Sequence, residues 1–83
     1  MTNKLPNTTK VLVKMREDRG LSYANVGDIM DCSRAYVYKV EKGFFEDCYK
    51  YLNKIVKKVH ATKAEAEALK KAWIADKVNL LEF

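Results

Sequence analysis

Gly20–Gly43, GLSYANVGDIMDCSRAYVYKVEKG, is the stretch whose reading decides the fold. Ser22 is a capping residue set before the apolar positions Val26, Ile29 and Met30, so a short helix is expected from Ser22 to about Met30. The polar turn Asp31-Cys32-Ser33 follows. Ser33 then caps a second short helix, Arg34 to Lys42, with Val37 and Val40 as its inward stripe and Gly43 as its stop. Two helices joined by so tight a turn must approach closely where they cross. Gly27 allows this; a glycine inside a helix costs roughly 1 kcal/mol against alanine, so it calls for a packing reason.

Outward from this pair, the apolar spacing stays helical. Residues 1–7 read as a loose arm ending at Pro6-Asn7, and Thr8 or Thr9 is placed to cap a first helix with Val11, Leu12 and Met15 inward. Gly20 is placed to end that helix in a left-handed conformation. Downstream, Asp47 can open a fourth helix whose apolar face is Cys48, Leu52, Ile55, Val56 and Val59. Thr62-Lys63-Ala64-Glu65 is a capping-box pattern opening a last helix. Ala66, Leu69, Trp73 and Leu80 fall on one face of that helix, with Ile74, Val78 and Leu81 well around from them. No segment alternates with a strand-like period. The expectation is an all-α, compact four- to five-helix bundle: an arm at 1–7, a helix-turn-helix domain at 8–60, and a C-terminal amphipathic helix at 61–83 that packs on the domain, on a partner, or on both.

Composition bounds the function. At 83 residues and 48% hydrophobic, the chain can fold as one small domain with a marginal core, which makes oligomerisation a natural source of added stability. The net charge is +5. Residues 1–61 hold 12 Lys and Arg against 7 Asp and Glu, whereas residues 62–83 hold 4 of each, so the surplus lies wholly in the first part. Such a body favours phosphate through counterion release, although a solvated basic surface explains the charge equally well. Cys32, Cys48 and the single His60 lack metal-ligand spacing, so no metal and no cofactor is expected. Two thiols without that spacing fit a cytoplasmic protein. No leader is expected, because Thr2, Asn3, Lys4 and Pro6 interrupt any apolar run, and no stretch approaches a membrane span. The chain carries no nucleophile–base pair and no phosphate-cradling glycine loop, and the Glu17-Asp18 and Glu46-Asp47 carboxylates sit where capping or solvation explains them. An enzyme with a small-molecule substrate is therefore not expected.

The helix Ser33–Lys42 carries the chemistry. With Val37 and Val40 inward, the side chains of Ser33, Arg34, Ala35, Tyr36, Tyr38 and Lys39 are left on its outer side. A guanidinium forms paired hydrogen bonds to guanine, a methyl side chain meets a thymine methyl, and an ammonium reaches a base or a phosphate. Ser33, Arg34, Ala35 and Lys39 are thus the candidate base contacts. Ser22, Tyr23, Tyr36, Tyr38, Lys42 and Arg16 are the candidate phosphate contacts, and Tyr38 could instead cover a core edge.

Met15-Arg16, Gly20-Leu21-Ser22, Val26-Gly27, Met30, Cys32-Ser33, Tyr36-Val37, Val40-Glu41 and Gly43 resemble the phage-repressor family of helix-turn-helix domains, of the Cro, lambda-repressor and Xre type. The resemblance covers about residues 8–60. It implies a sequence-specific regulator of transcription on double-stranded DNA, and an ion pair between Arg16 and Glu41. This chain departs from the family at Tyr23 (usually Gln), Gly27 (usually Ala), Asp31 (usually Gly) and Asp47 (usually Pro). Operators of that kind are read by paired domains. A homodimer is therefore expected, with Phe44, Phe45, Leu69, Trp73 and Leu80 as its candidate interface. A protein-interaction module built on the same scaffold, binding a toxin, a polymerase subunit or another regulator, is the alternative; Asp31, Tyr23, Phe44, Phe45 and Trp73 motivate it.

Overall fold

Capping chemistry sets where most of the helices begin. The computed structural model describes residues 6–43 and 48–79, which form α1 (Pro6–Asp18), α2 (Tyr23–Met30), α3 (Arg34–Glu41), α4 (Cys48–Lys58) and α5 (Lys63–Asn79), with no strand among the described residues. Ser22 caps α2 through its Oγ, which accepts from Asn25 N at 3.0 Å, while Asn25 Oδ1 accepts from Ser22 N, closing a capping box. Ser33 Oγ accepts from Tyr36 N at 3.1 Å and opens α3. Thr62 and Glu65 close the box expected at the start of α5, at 2.9 and 3.1 Å.

The start of α1 differs from the sequence expectation. The helix begins at Pro6, so Pro6 and Asn7 belong to it rather than to the arm, and Thr8 and Thr9 are buried residues inside its first turn rather than its cap. Proline suits a first helical position because the N–H it lacks would have no partner there. The cap comes from the far end of the chain. Asp76 of α5, only 1% exposed, accepts hydrogen bonds from Asn7 N, Asn7 Nδ2, Thr8 N and Thr8 Oγ1 at 2.7–3.2 Å. A carboxylate at this spot satisfies two N–H groups the helix cannot pair itself, and its charge opposes the positive end of the helix dipole.

The core gathers Leu12 and Met15 of α1, Val26 and Met30 of α2, Val37 and Val40 of α3, Tyr51, Leu52 and Ile55 of α4, and Leu69 of α5. On α5 the buried stripe runs Leu69, Ala72, Asp76, with Trp73 packed partly against the core, so the helix turns a carboxylate inward. Leu69, a candidate dimer contact, is only 3% exposed and is spent chiefly on the core of its own domain. Leu80, with Phe44 and Phe45, lies outside the described residues.

A second clip joins the turn after α1 to α5. Arg19 Nη1 and Nη2 donate to the two oxygens of Glu65 at 2.8 and 2.7 Å, while the same guanidinium donates to the carbonyls of Met15 and Val59. Hydrogen bonds from Arg19 and from the Thr62 backbone hold the Glu65 carboxyl down at about 2. Connections between helices turn through left-handed residues: Gly20 and Gly43, and without glycine's freedom Asp31 (φ 56°) and His60 (φ 54°). The Lys54 ammonium donates to the Met30 carbonyl at 2.7 Å, tying α4 to the last turn of α2.

Two outcomes are expected. Replacing Asp76 with alanine strands buried donors at the start of α1 and should lower stability by at least about 2 kcal/mol, read as a fall in the urea midpoint. Asp76→Asn, which keeps one acceptor oxygen, should lose less. For Glu65 the folded pKa lies below its ordinary 4.5, so its contribution is complete above that pH and is lost as pH falls toward about 2. The thermal midpoint of the native chain should therefore drop across that window, and Glu65→Gln should flatten the drop while lowering the midpoint at neutral pH.

Candidate nucleic-acid interface

The geometry of the α2–α3 pair follows from Gly27. A Cβ built there would lie 2.6 Å from the carbonyl oxygen of Cys32 and 3.3 Å from Arg34 N, both main-chain atoms that cannot swing away. The turn is further closed by Cys32 N donating to Gly27 O at 2.8 Å and by the left-handed Asp31. Where the family resemblance implies alanine, this chain has no room for the methyl group.

The buried stripe of α3 is Val37 and Val40, both 0% exposed, with Glu41 beside them. Turning these inward leaves Ser33, Arg34, Ala35, Tyr36, Tyr38, Lys39 and Lys42 exposed. Among the described residues, Arg34 and Lys39 form no ion pair, and the one carboxylate of α3, Glu41, is turned into the domain. The free face of the helix is therefore cationic and hydroxyl-bearing.

Glu41 pairs with Arg16. Arg16 Nε lies 2.9 and 3.1 Å from the two Glu41 oxygens, and Nη1 donates to the Leu21 carbonyl at 3.0 Å. Burial pulls the guanidinium's pKa down, but the hydrogen bond and charge of Glu41 outweigh it, so the net shift is upward. The two side chains are only 15% and 4% exposed. Arg16, expected to contact phosphate, is thus engaged chiefly inside the protein, and its role here is to fix the end of α3 against α1.

That guanidinium also covers the ring of Tyr23, 4.5 Å from its centroid. Tyr23 in turn meets Tyr38 edge to face, with centroids 5.5 Å apart and planes at 88°. Lys42 Nζ sits 5.4 Å over the Tyr38 ring. The candidate residues Arg16, Tyr23, Tyr38 and Lys42 thus form one chain of contacts across the α2–α3 face. The residue types alone do not reveal this pairing; the signal for it was two large amphipathic side chains at outward positions of helices that Gly27 forces together. Tyr36, beyond this chain, leans on Tyr51 at 6.0 Å. The Tyr51 hydroxyl is buried with no hydrogen-bond partner among the described residues, and burial pushes its pKa up.

Of the other candidate partner contacts, Trp73 is half-buried under Lys77, while Ile74 and Val78 of α5 are 54% and 58% exposed. Among the described residues, Ile74 and Val78 are thus the exposed large apolar side chains of α5. Among the described residues no cluster of His, Cys, Asp and Glu could hold a metal ion, and no helix is long and apolar enough to cross a membrane. No protein-family model, curated protein or solved structure matches this chain.

Gly27→Ala tests the crossing. In an ordinary helix interior this change would gain about 1 kcal/mol. Here it should lose about 1–3 kcal/mol, because the new methyl forces main chain apart. Chemical denaturation measures the sign, and a more stable variant would show that α2 and α3 are not packed this closely.

Proposed function

We propose that the protein is a sequence-specific double-stranded DNA-binding regulator of transcription, of the phage-repressor type, that lays α3 in the major groove. The observation that carries this reading is the outer face of α3, where Arg34, Lys39 and Lys42 stand exposed among hydroxyls while the only carboxylate of the helix is buried. Arg34 is the first residue of the helix, the end from which recognition helices reach base edges, and its fork suits the two acceptors of guanine. Lys39 lies on the same outward side. Ser22 and Ser33 stand at the N-termini of α2 and α3, where exposed hydroxyls and helix dipoles favour phosphate. One module of this size buries too little surface for tight specific binding, so the reading includes a two-fold dimer, with Ile74 and Val78 as its apolar contact.

A second reading, docking of a protein partner, is favoured by an apolar groove of about 340 Å³ between α4 and α5, lined by Leu52, Val56, Leu69 and Trp73 with Lys57 and Lys70 among its walls.

Selection of duplexes from a random library, followed by a salt series, separates the two. DNA reading should enrich one half-site and weaken steeply with added salt, whereas an apolar protein contact should barely respond. Arg34→Ala should then cost about 1–3 kcal/mol on the selected duplex and bring binding close to that of random DNA, with an unchanged unfolding midpoint. An unchanged ratio of selected to random binding would remove Arg34 from base reading.

A further inference from the structure

The outer face of α3 is not polar throughout. Between Arg34 and Lys39 lies a shallow notch formed by Tyr23, Ala35 and Tyr38, and its surface is almost wholly carbon. Tyr38 is 47% exposed, so this apolar surface is held in water in the free protein. Both rings are fixed in place: Tyr23 under the Arg16 guanidinium, Tyr38 under Lys42, and each against the other at 88°. Rigid aromatic walls lose little entropy when a ligand settles between them.

Duplex DNA itself restricts what can enter the notch. Its bases are stacked on one another and present only their edges in the major groove, so no flat base face reaches the two rings. A compact apolar group fits instead. On the major-groove edges of unmodified DNA the one alkyl group is the C5 methyl of thymine.

Resting on the DNA-reading function proposed above, we infer that Tyr23, Ala35 and Tyr38 form a thymine-methyl subsite beside the guanine-reading Arg34. The half-site then contains a thymine adjacent to a guanine. Specificity is shared between a charged fork and an apolar notch on neighbouring residues of one helix.

The experiment uses the whole chain and duplexes selected from an unmodified random library. Each thymine of the enriched half-site is replaced in turn by uracil, which removes the methyl and leaves the pairing edge intact. At one thymine next to a guanine the replacement should weaken binding about fourfold, the loss expected for one buried methyl. That penalty should vanish in Tyr38→Ala and persist in Tyr38→Phe, which keeps the ring. Uracil tolerated at every position, or a penalty unchanged in Tyr38→Ala, overturns the subsite while DNA reading stands. Failure to enrich any duplex overturns both, so the two failures are distinguishable.

Discussion

The pairing of Arg16 with Glu41 is the constraint on which the arrangement of α3 depends. It joins the last turn of α1 to the last residue of α3, 25 positions later, through a guanidinium that also holds the Leu21 carbonyl. Both charges are largely withdrawn from water, and such a pair gives little net stability compared with apolar packing. What it supplies is position. With one partner missing, the other would be an uncompensated buried charge, so a shift of α3 relative to α1 is opposed by more than a surface ion pair could oppose it. Arg16 then extends this hold sideways: its face on Tyr23 orients the ring that meets Tyr38, so the outward side of α3 inherits its geometry from a residue of α1.

Short connections complete the effect. Three residues separate α2 from α3, and the turn closes because Asp31 accepts a left-handed conformation. Aspartate does so more readily than most non-glycine residues, yet with some strain that glycine would not carry. Gly27 removes the other obstacle, since any side chain would meet the Cys32 carbonyl. The glycine expected in the turn by resemblance is thus absent, while a glycine stands where resemblance implies alanine; freedom has moved from the turn to the crossing. The outcome is still a closely docked pair of eight-residue helices.

What the sequence made legible was local. Ser22, Ser33 and the Thr62–Glu65 box announce helix starts because a cap and its target N–H lie within three residues. The Val37–Val40 stripe and the inward Leu52 and Ile55 of α4 follow from the 3.6-residue period, whereas the burial of Tyr51 on the same helix does not. The start of α1 departs from the sequence expectation for the opposite reason. Thr8 looks like a cap, but the group that satisfies the first turn is Asp76, 68 residues away, and no local pattern records that partnership. An aspartate on an amphipathic helix reads as solvated, so the sequence suggests a face through Trp73 and Leu80, whereas the buried stripe of α5 runs through Ala72 and Asp76. The burial of Leu69 in its own core is hidden for a related reason: periodicity identifies an apolar position but not which surface covers it. On the candidate interface, outward positions were legible from the valines opposite them, whereas the Tyr23–Tyr38 contact required knowing how closely two helices cross.

The division of cations carries the functional argument further than net charge does. A surplus of +5 is compatible with any solvated basic surface. The structure assigns individual charges to different work. Arg16 and Arg19 are drawn into carboxylates and carbonyls that join α1 to α3 and to α5, and Lys54 closes the end of α2. These three hold the body together and have little reach left for a phosphate. Arg34 and Lys39 have no such partner among the described residues, and both lie on the outer face of α3, which carries no exposed carboxylate. An unpaired guanidinium at the first position of a rigidly held helix serves no structural need, because neither the cap at Ser33 nor the valine stripe involves it. On the DNA-reading function proposed above, such an arrangement meets acceptor groups that lie in a plane along a groove wide enough for a helix.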